Sequence, residues 1–138
     1  MPSLSKTQFS LQLTGFDALY GLEIQSLGED EASAQVEVRP ELLEPGGGVH
    51  GGVYAAIAES LASLATTKAV SAEGTRAQGL SNHTTLLREI RRGAVHATAR
   101  RRHRGRTTWV WEVELTDDEG HACALVRMTV AVRDTSPG

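Results

Sequence analysis

Cysteine is nearly absent. Cys123 is the single one in 138 residues, which excludes an intramolecular disulfide and any metal site built from cysteines, and fits a reducing, cytoplasmic compartment. Long apolar runs are missing too. No segment approaches the roughly 20 apolar residues of a membrane span, and Met1 to Ser10 holds no apolar run of signal-peptide length. No His/Asp/Glu cluster has metal-ligand spacing, so no metal is expected, and there is neither an internal repeat nor a low-complexity segment. What remains is ordinary for a soluble globular chain, with 40% hydrophobic and 22% charged residues. The length predicts a single domain over 1–138, with 1–10 and 134–138 loose.

The net charge of −3 hides a division. Residues 1–75 hold 3 Lys/Arg against 10 Asp/Glu, residues 76–138 hold 11 against 7, and eight arginines fall between Arg88 and Arg106. A basic strip on a net-acidic chain points to a local polyanionic ligand. Nucleic-acid binding is disfavoured, because no exposed aromatic ladder accompanies the arginines. A plain solvated sheet face is the other reading, since alternate residues of Arg100 to Arg104 point opposite ways.

Periodicity predicts the elements. Phe9 to Tyr20 reads as a short helix with Phe16, Leu19 and Tyr20 facing inward. Gly21 to Leu27 and Glu31 to Arg39 read as strands around a Gly28-Glu29-Asp30 turn. In the second of these, Ala32, Ala34, Val36 and Val38 alternate with polar residues. After a loop over Pro40 to Gly48, a helix runs from Gly52 to Val70, roughly 28 Å at ~1.5 Å per residue. It is built so largely of small residues that it is expected to be enclosed. Four strands follow, at Ala77 to Leu87, Ala94 to His103, Thr107 to Thr116 and His121 to Arg133, and the short turns between them imply antiparallel pairing. Trp109, Trp111, Val113 and Leu115 form one inward face, and Ala122, Ala124, Val126, Met128, Val130 and Val132 another. The pattern is α+β: one buried helix wrapped by about six strands, with an edge that dimerisation would cover.

The start of that helix carries the chemistry. Gly51 and Gly52 stand where a helix leaves backbone N–H groups unpartnered and partly positive, and without Cβ atoms they let a carbonyl approach. Glu59 is the lone acid of Val53 to Leu64. Taken singly, the glycines could serve a tight turn and Glu59 could pair with a cation. Together they make a candidate oxyanion hole with a candidate nucleophile or base.

Val49-His50-Gly51-Gly52-Val53-Tyr54, Glu59, Ser81-Asn82-His83-Thr84, Thr107-Thr108-Trp109 and the Asp117-Asp118-Glu119-Gly120 turn resemble the corresponding segments of the hot-dog fold acyl-CoA thioesterases. The Arthrobacter-type 4-hydroxybenzoyl-CoA thioesterase is the nearest likeness, over roughly residues 20–133. The resemblance implies that the Gly51 N–H polarises the thioester carbonyl and that Glu59 attacks it or activates water. It also implies that Ser63, where the family usually has Thr, assists. Glu44 stands where the family usually carries Asn or Gln near the thioester, either beside Glu59, raising one pKa of the pair, or turned outward on its loop. Arg88 and Thr107 match family residues that hold the CoA phosphates, and Arg106 joins them on charge alone. Gly52 and His83 are further candidate substrate contacts, and His50 is either a base or a loop-fixing group.

The expected activity is hydrolysis of a 4-hydroxybenzoyl-CoA-like ester to acid and CoA. No cofactor is needed, because CoA belongs to the substrate. The implied protein is a homotetramer, a dimer of dimers with sites at the dimer interface, and it has no nucleic-acid or membrane partner. Alternatives are a phenylacetyl- or hydroxyphenylacetyl-CoA thioesterase, a hot-dog hydratase, which the placement of His50 before the helix disfavours, and a noncatalytic polyanion-binding module.

Overall fold

The computed structural model describes residues 12–134. Helix α1 (Gly15–Leu19) precedes strands β1 (Glu23–Leu27) and β2 (Glu31–Glu37), and the long helix α2 (Gly51–Val70) leads into β3 (Thr75–Leu86), β4 (Ala94–Arg104), β5 (Thr108–Thr116) and β6 (Ala122–Asp134). The strands form one sheet in the order β1-β2-β4-β5-β6-β3, and every neighbouring pair is antiparallel. The sheet wraps α2, which is the hot-dog arrangement.

The period-2 pattern explains the wrap. Ala32, Ala34 and Val36 of β2, Trp109, Trp111, Val113 and Leu115 of β5, and Ala124, Val126, Met128 and Val130 of β6 are all buried, so one face of each strand meets the helix. Ala122 and Val132, expected on the same face, are only half-buried, and Cys123 and Ala131 are buried instead. α2 answers with Tyr54, Ile57, Ala58, Leu61, Ala62, Ala65, Thr66 and Val70. Its opposite side stays open at Gly52 and Glu59, so the helix is half enclosed rather than surrounded. In the core, the Trp111 indole N–H donates to Thr66 Oγ1 at 2.9 Å, and that hydroxyl donates to the Ala62 carbonyl at 2.8 Å. A buried indole thus finds its acceptor.

Two expectations fail at the ends. α1 is a single turn, and Phe16 and Leu19 point to solvent at 63% and 71% exposure, leaving Tyr20 alone buried. A segment this short turns only one side chain fully inward; Phe9 to Leu11 lie outside the described residues. Asp134, expected in a loose tail, extends β6 opposite Thr75.

Candidate functional site

His50 is the N-cap of α2. Its Nδ1 accepts a 2.9 Å hydrogen bond from the Gly52 N–H, and its carbonyl accepts from the Val53 N–H at 2.9 Å. The Gly52 donor, an expected substrate contact, is therefore already occupied. Gly51, the first helical residue, has no intrahelical acceptor for its N–H. A side chain here would displace a neighbour: a Cβ on Gly51 would lie 2.9 Å from Leu86 Cδ1, which would have to shift.

Glu59 lies eight residues further along, about 12 Å down the axis at ~1.5 Å per residue. One thioester carbon cannot sit against both groups of the same helix. Glu59 is exposed. It opens into a cavity of 430 Å³ whose walls include Phe16, Gly52, Ala56, Ser60 and Asn82. Ser63 is at i+4 on the same face, and the point where a Gly79 Cβ would stand is 3.7 Å from Ser63 Oγ and 3.8 Å from Glu59 Cγ. Gly79, on edge strand β3, thus keeps space open over both.

Asn82 Nδ2 donates to the Ala55 carbonyl at 2.9 Å, and Thr84 Oγ1 fixes the amide by donating to Asn82 Oδ1 at 2.6 Å. These bonds tie β3 to the helix turn before Glu59. On the other side, Ser60 Oγ donates to Asp17 Oδ1 at 2.6 Å, and the Tyr20 hydroxyl lies 3.3 Å from Ser60 Oγ. Burial, aided by the charges of Asp17 and Glu59, pushes the Tyr20 phenol well above its ordinary range. Gly79, Asp17 and Ser60 escaped the sequence reading, which took Phe16 only as an inward-facing residue. Asn82 was quoted only as part of a matching segment.

Glu44 does not face Glu59 within the chain. It accepts from the Gly48 N–H at 3.1 Å, and the backbone N–H groups of Gly46 and Gly48 hold its carboxyl below the usual carboxylate range. His83 is turned to the outer face of the sheet, in a groove it shares with Arg100, Arg102, Glu112 and Arg127, away from α2.

The arginine strip is mostly neutralised. Arg100 pairs with Glu31 at 3.1 Å, Arg101 with Asp30 at 2.8 Å, Arg102 with Glu112, and Arg104 with Glu29. Arg101 and Arg104 also lie over the Trp109 ring, at 5.1 and 4.9 Å from its centroid. Arg88 and Arg106 stand outside these pairs but at opposite ends of β6. The Arg88 N–H donates to the Cys123 carbonyl at 3.1 Å, whereas Thr107 accepts from the Val132 N–H at 2.9 Å. Nine strand residues separate those points, roughly 30 Å at ~3.3 Å each. The expected phosphate site is therefore not assembled within one chain. Arg106 and Thr107 share a 640 Å³ cavity with Thr75 and Arg133. Cys123 is buried, which pushes its thiol up.

A helix start and carboxylate of this kind, on a helix framed by a curled sheet, have a family counterpart. The sequence matches the model of the thioesterase superfamily over residues 46–124, which spans the cap, the helix, three strands and the start of β6.

The chain belongs to the thioesterase superfamily.

Rv1847 of Mycobacterium tuberculosis, a candidate esterase, is 44% identical to this thioesterase-superfamily chain over 111 residues, 79% of each. Its solved structure superposes with a TM-score of 0.84 over 88% of this chain and 98% of its own. The thioesterase HI1161 of Haemophilus influenzae superposes at 0.82, with 33% identity over 88% of this chain and 84% of its own. The 1,4-dihydroxy-2-naphthoyl-CoA hydrolase of Listeria monocytogenes is 34% identical over 119 residues, covering 86% of this hydrolase and 96% of the relative.

Proposed function

We propose that this thioesterase hydrolyses aromatic acyl-CoA esters of the 4-hydroxybenzoyl-CoA type in a site shared by two subunits, each Glu59 serving a carbonyl held by the Gly51 N–H of the partner copy. The observation that carries the reading is the geometry of α2. A carboxylate and a free helix-start N–H lie on one helix but about 12 Å apart (~1.5 Å per residue), so they serve one thioester only across a two-fold axis. β3 is a 12-residue strand at the sheet edge. Leu80 and Leu86 on it are exposed, and its unpaired edge offers the surface on which a second copy pairs.

In this reading the Gly51 N–H, at the positive end of the helix dipole, stabilises charge developing on the thioester oxygen. Glu59 either adds to the carbonyl carbon, displacing CoA thiolate and leaving a mixed anhydride for water to cleave, or removes a proton from the attacking water. Ser63 assists at the same face. Arg88, Arg106 and Thr107 hold CoA phosphates donated by different subunits of a dimer of dimers, since one chain keeps them apart. The likeness to the Arthrobacter-type enzyme supports a benzoyl group. The Listeria relative, named for a dihydroxynaphthoyl ester, favours a bicyclic aroyl group as the second reading.

The test is thiol release from a panel of aryl- and alkyl-CoA esters with wild type, Glu59→Ala and Glu59→Gln. Loss of a nucleophile or base costs roughly a thousandfold or more in kcat. A variant retaining above about a tenth of wild-type kcat overturns the role.

A further inference from the structure

Two cavities meet at Phe16. The one that holds Glu59 is also lined by Phe16, Gly52 and Ala56. A second, of 550 Å³, shares those three residues and is also walled by Leu19, Leu42, Leu43 and Val53, with the polar groups of His50, Arg39 and Glu41 among its lining. Gly52, Ala56 and Glu59 recur at i, i+4 and i+7, so they form one face of α2. The two smallest of them make a shallow floor leading from Glu59 into the apolar space, and Phe16 stands above that floor.

Although it is 63% exposed, Phe16 is held from three directions. Its ring lies 5.0 Å from that of Tyr20 at an interplanar angle of 59°. The next residue, Asp17, accepts the 2.6 Å hydrogen bond from Ser60 on α2. The end of α1 is held where the Arg39 guanidinium donates to the Leu19 carbonyl. Phe16 and the neighbouring Leu19, 71% exposed, together present an apolar surface to whatever enters the two cavities.

We propose that Phe16 is the residue that selects the acyl group: a flat aromatic ring lies between the Phe16 ring and the Gly52–Ala56 floor on its way from Glu59 to the apolar cavity. This rests on Glu59 as the group that meets the acyl carbon. A planar ring fills a slot with an aromatic roof and gains ring–ring contact, which a straight alkyl chain does not. The Asp17–Ser60 bond is a positioning contact that sets the height of the roof.

The test compares benzoyl-CoA with octanoyl-CoA. Phe16→Ala lowers kcat/KM for benzoyl-CoA about tenfold more than for octanoyl-CoA, Phe16→Tyr retains the wild-type ratio, and Asp17→Ala shifts the ratio as Phe16→Ala does while Asp17→Asn, which keeps an acceptor for Ser60, restores it. The same preference appears in calorimetric binding of both esters to Glu59→Gln with and without Phe16→Ala. Equal losses with the two esters overturn the proposal, as does an unchanged ratio. A change in oligomeric state with Phe16→Ala, read by light scattering, also overturns it and makes Phe16 a subunit contact. Failure of the Glu59 reading shows separately, as turnover by Glu59→Gln with Phe16 intact. Selective binding of benzoyl-CoA would then still place the ring under Phe16.

Discussion

His50 caps α2 by accepting the Gly52 N–H on Nδ1 at 2.9 Å, and this bond settles which donor at the helix start is left for a ligand. The bond requires Nδ1 to be unprotonated, and a side chain engaged in this way orients the turn that presents the Gly51 N–H.

Replacing His50 by Ala should destabilise the fold by about 1 kcal/mol, and Asn or Asp at this position should recover most of it, because each carries an acceptor at cap distance. Denaturant melts measure the stability. Parallel kinetics should show His50→Asn retaining activity that a catalytic base would forfeit. A loss as deep as that of Glu59→Ala would make His50 the base.

The proposed sharing of the site between two subunits predicts complementation. Glu59→Ala and Gly51→Val should each be inactive alone, the second because its side chain would meet Leu86. Mixed by co-expression or by unfolding and refolding together, they should regain about a quarter of wild-type activity, because half the dimers are mixed and one of their two sites is intact. If both groups came from one chain, mixing would restore nothing.

Arg106→Ala and Arg88→Ala should raise KM for a CoA ester more than they lower kcat, since phosphates bind about equally in ground and transition states. The corresponding pantetheine ester, which lacks the nucleotide, should be insensitive. Sensitivity confined to one arginine would identify which end of β6 meets the nucleotide. Equal losses with both esters would remove the arginines from the nucleotide site.

Glu44 should report on its loop. Its folded pKa lies below the ordinary 4.5 because of the Gly46 and Gly48 N–H groups. The sign follows: its contribution to stability is complete above the unfolded value and is lost as pH falls through the depressed folded one. Glu44→Gln should therefore melt lower than wild type near neutral pH, and the gap should close on acidification below 4.5. The acidic limb of the pH–rate profile should stay in place. A displaced limb would put the Glu44 charge beside the Glu59 of the partner copy.

Thr66 tests the core. Thr66→Val keeps the shape but removes the acceptor of the Trp111 indole N–H, leaving a buried donor unsatisfied at a cost of roughly 1–3 kcal/mol. Thr66→Ser keeps the hydroxyl and should cost less than Thr66→Val. The reverse order in thermal melts would assign the site's stability to the methyl group instead.

The sequence by itself determined the main elements and the faces of the central strands, though not those of α1 or the ends of β6. Alternation in Ala32 to Val36 and in Trp109 to Leu115 marks sheet residues with one buried side, because the strand period is local and each residue's face follows from its neighbours. The same locality made Gly51, Glu59 and Ser63 legible, as helix position and spacing alone set them at a helix start and on one face. Only the tertiary structure decided what those residues meet. That His50 occupies the Gly52 N–H depends on a side-chain rotamer, and that Glu44 turns back to the Gly48 N–H depends on the path of a glycine loop. That Arg88 and Arg106 stand at opposite ends of β6 depends on register between strands far apart in sequence. Phe16 reaches the Glu59 cavity from α1, Asp17 bonds Ser60 beside it, and Gly79 approaches Glu59 from the sheet edge. The physical reason is that period is written in neighbouring residues, whereas proximity across a curved sheet is set by where distant segments pack, which no window of sequence contains.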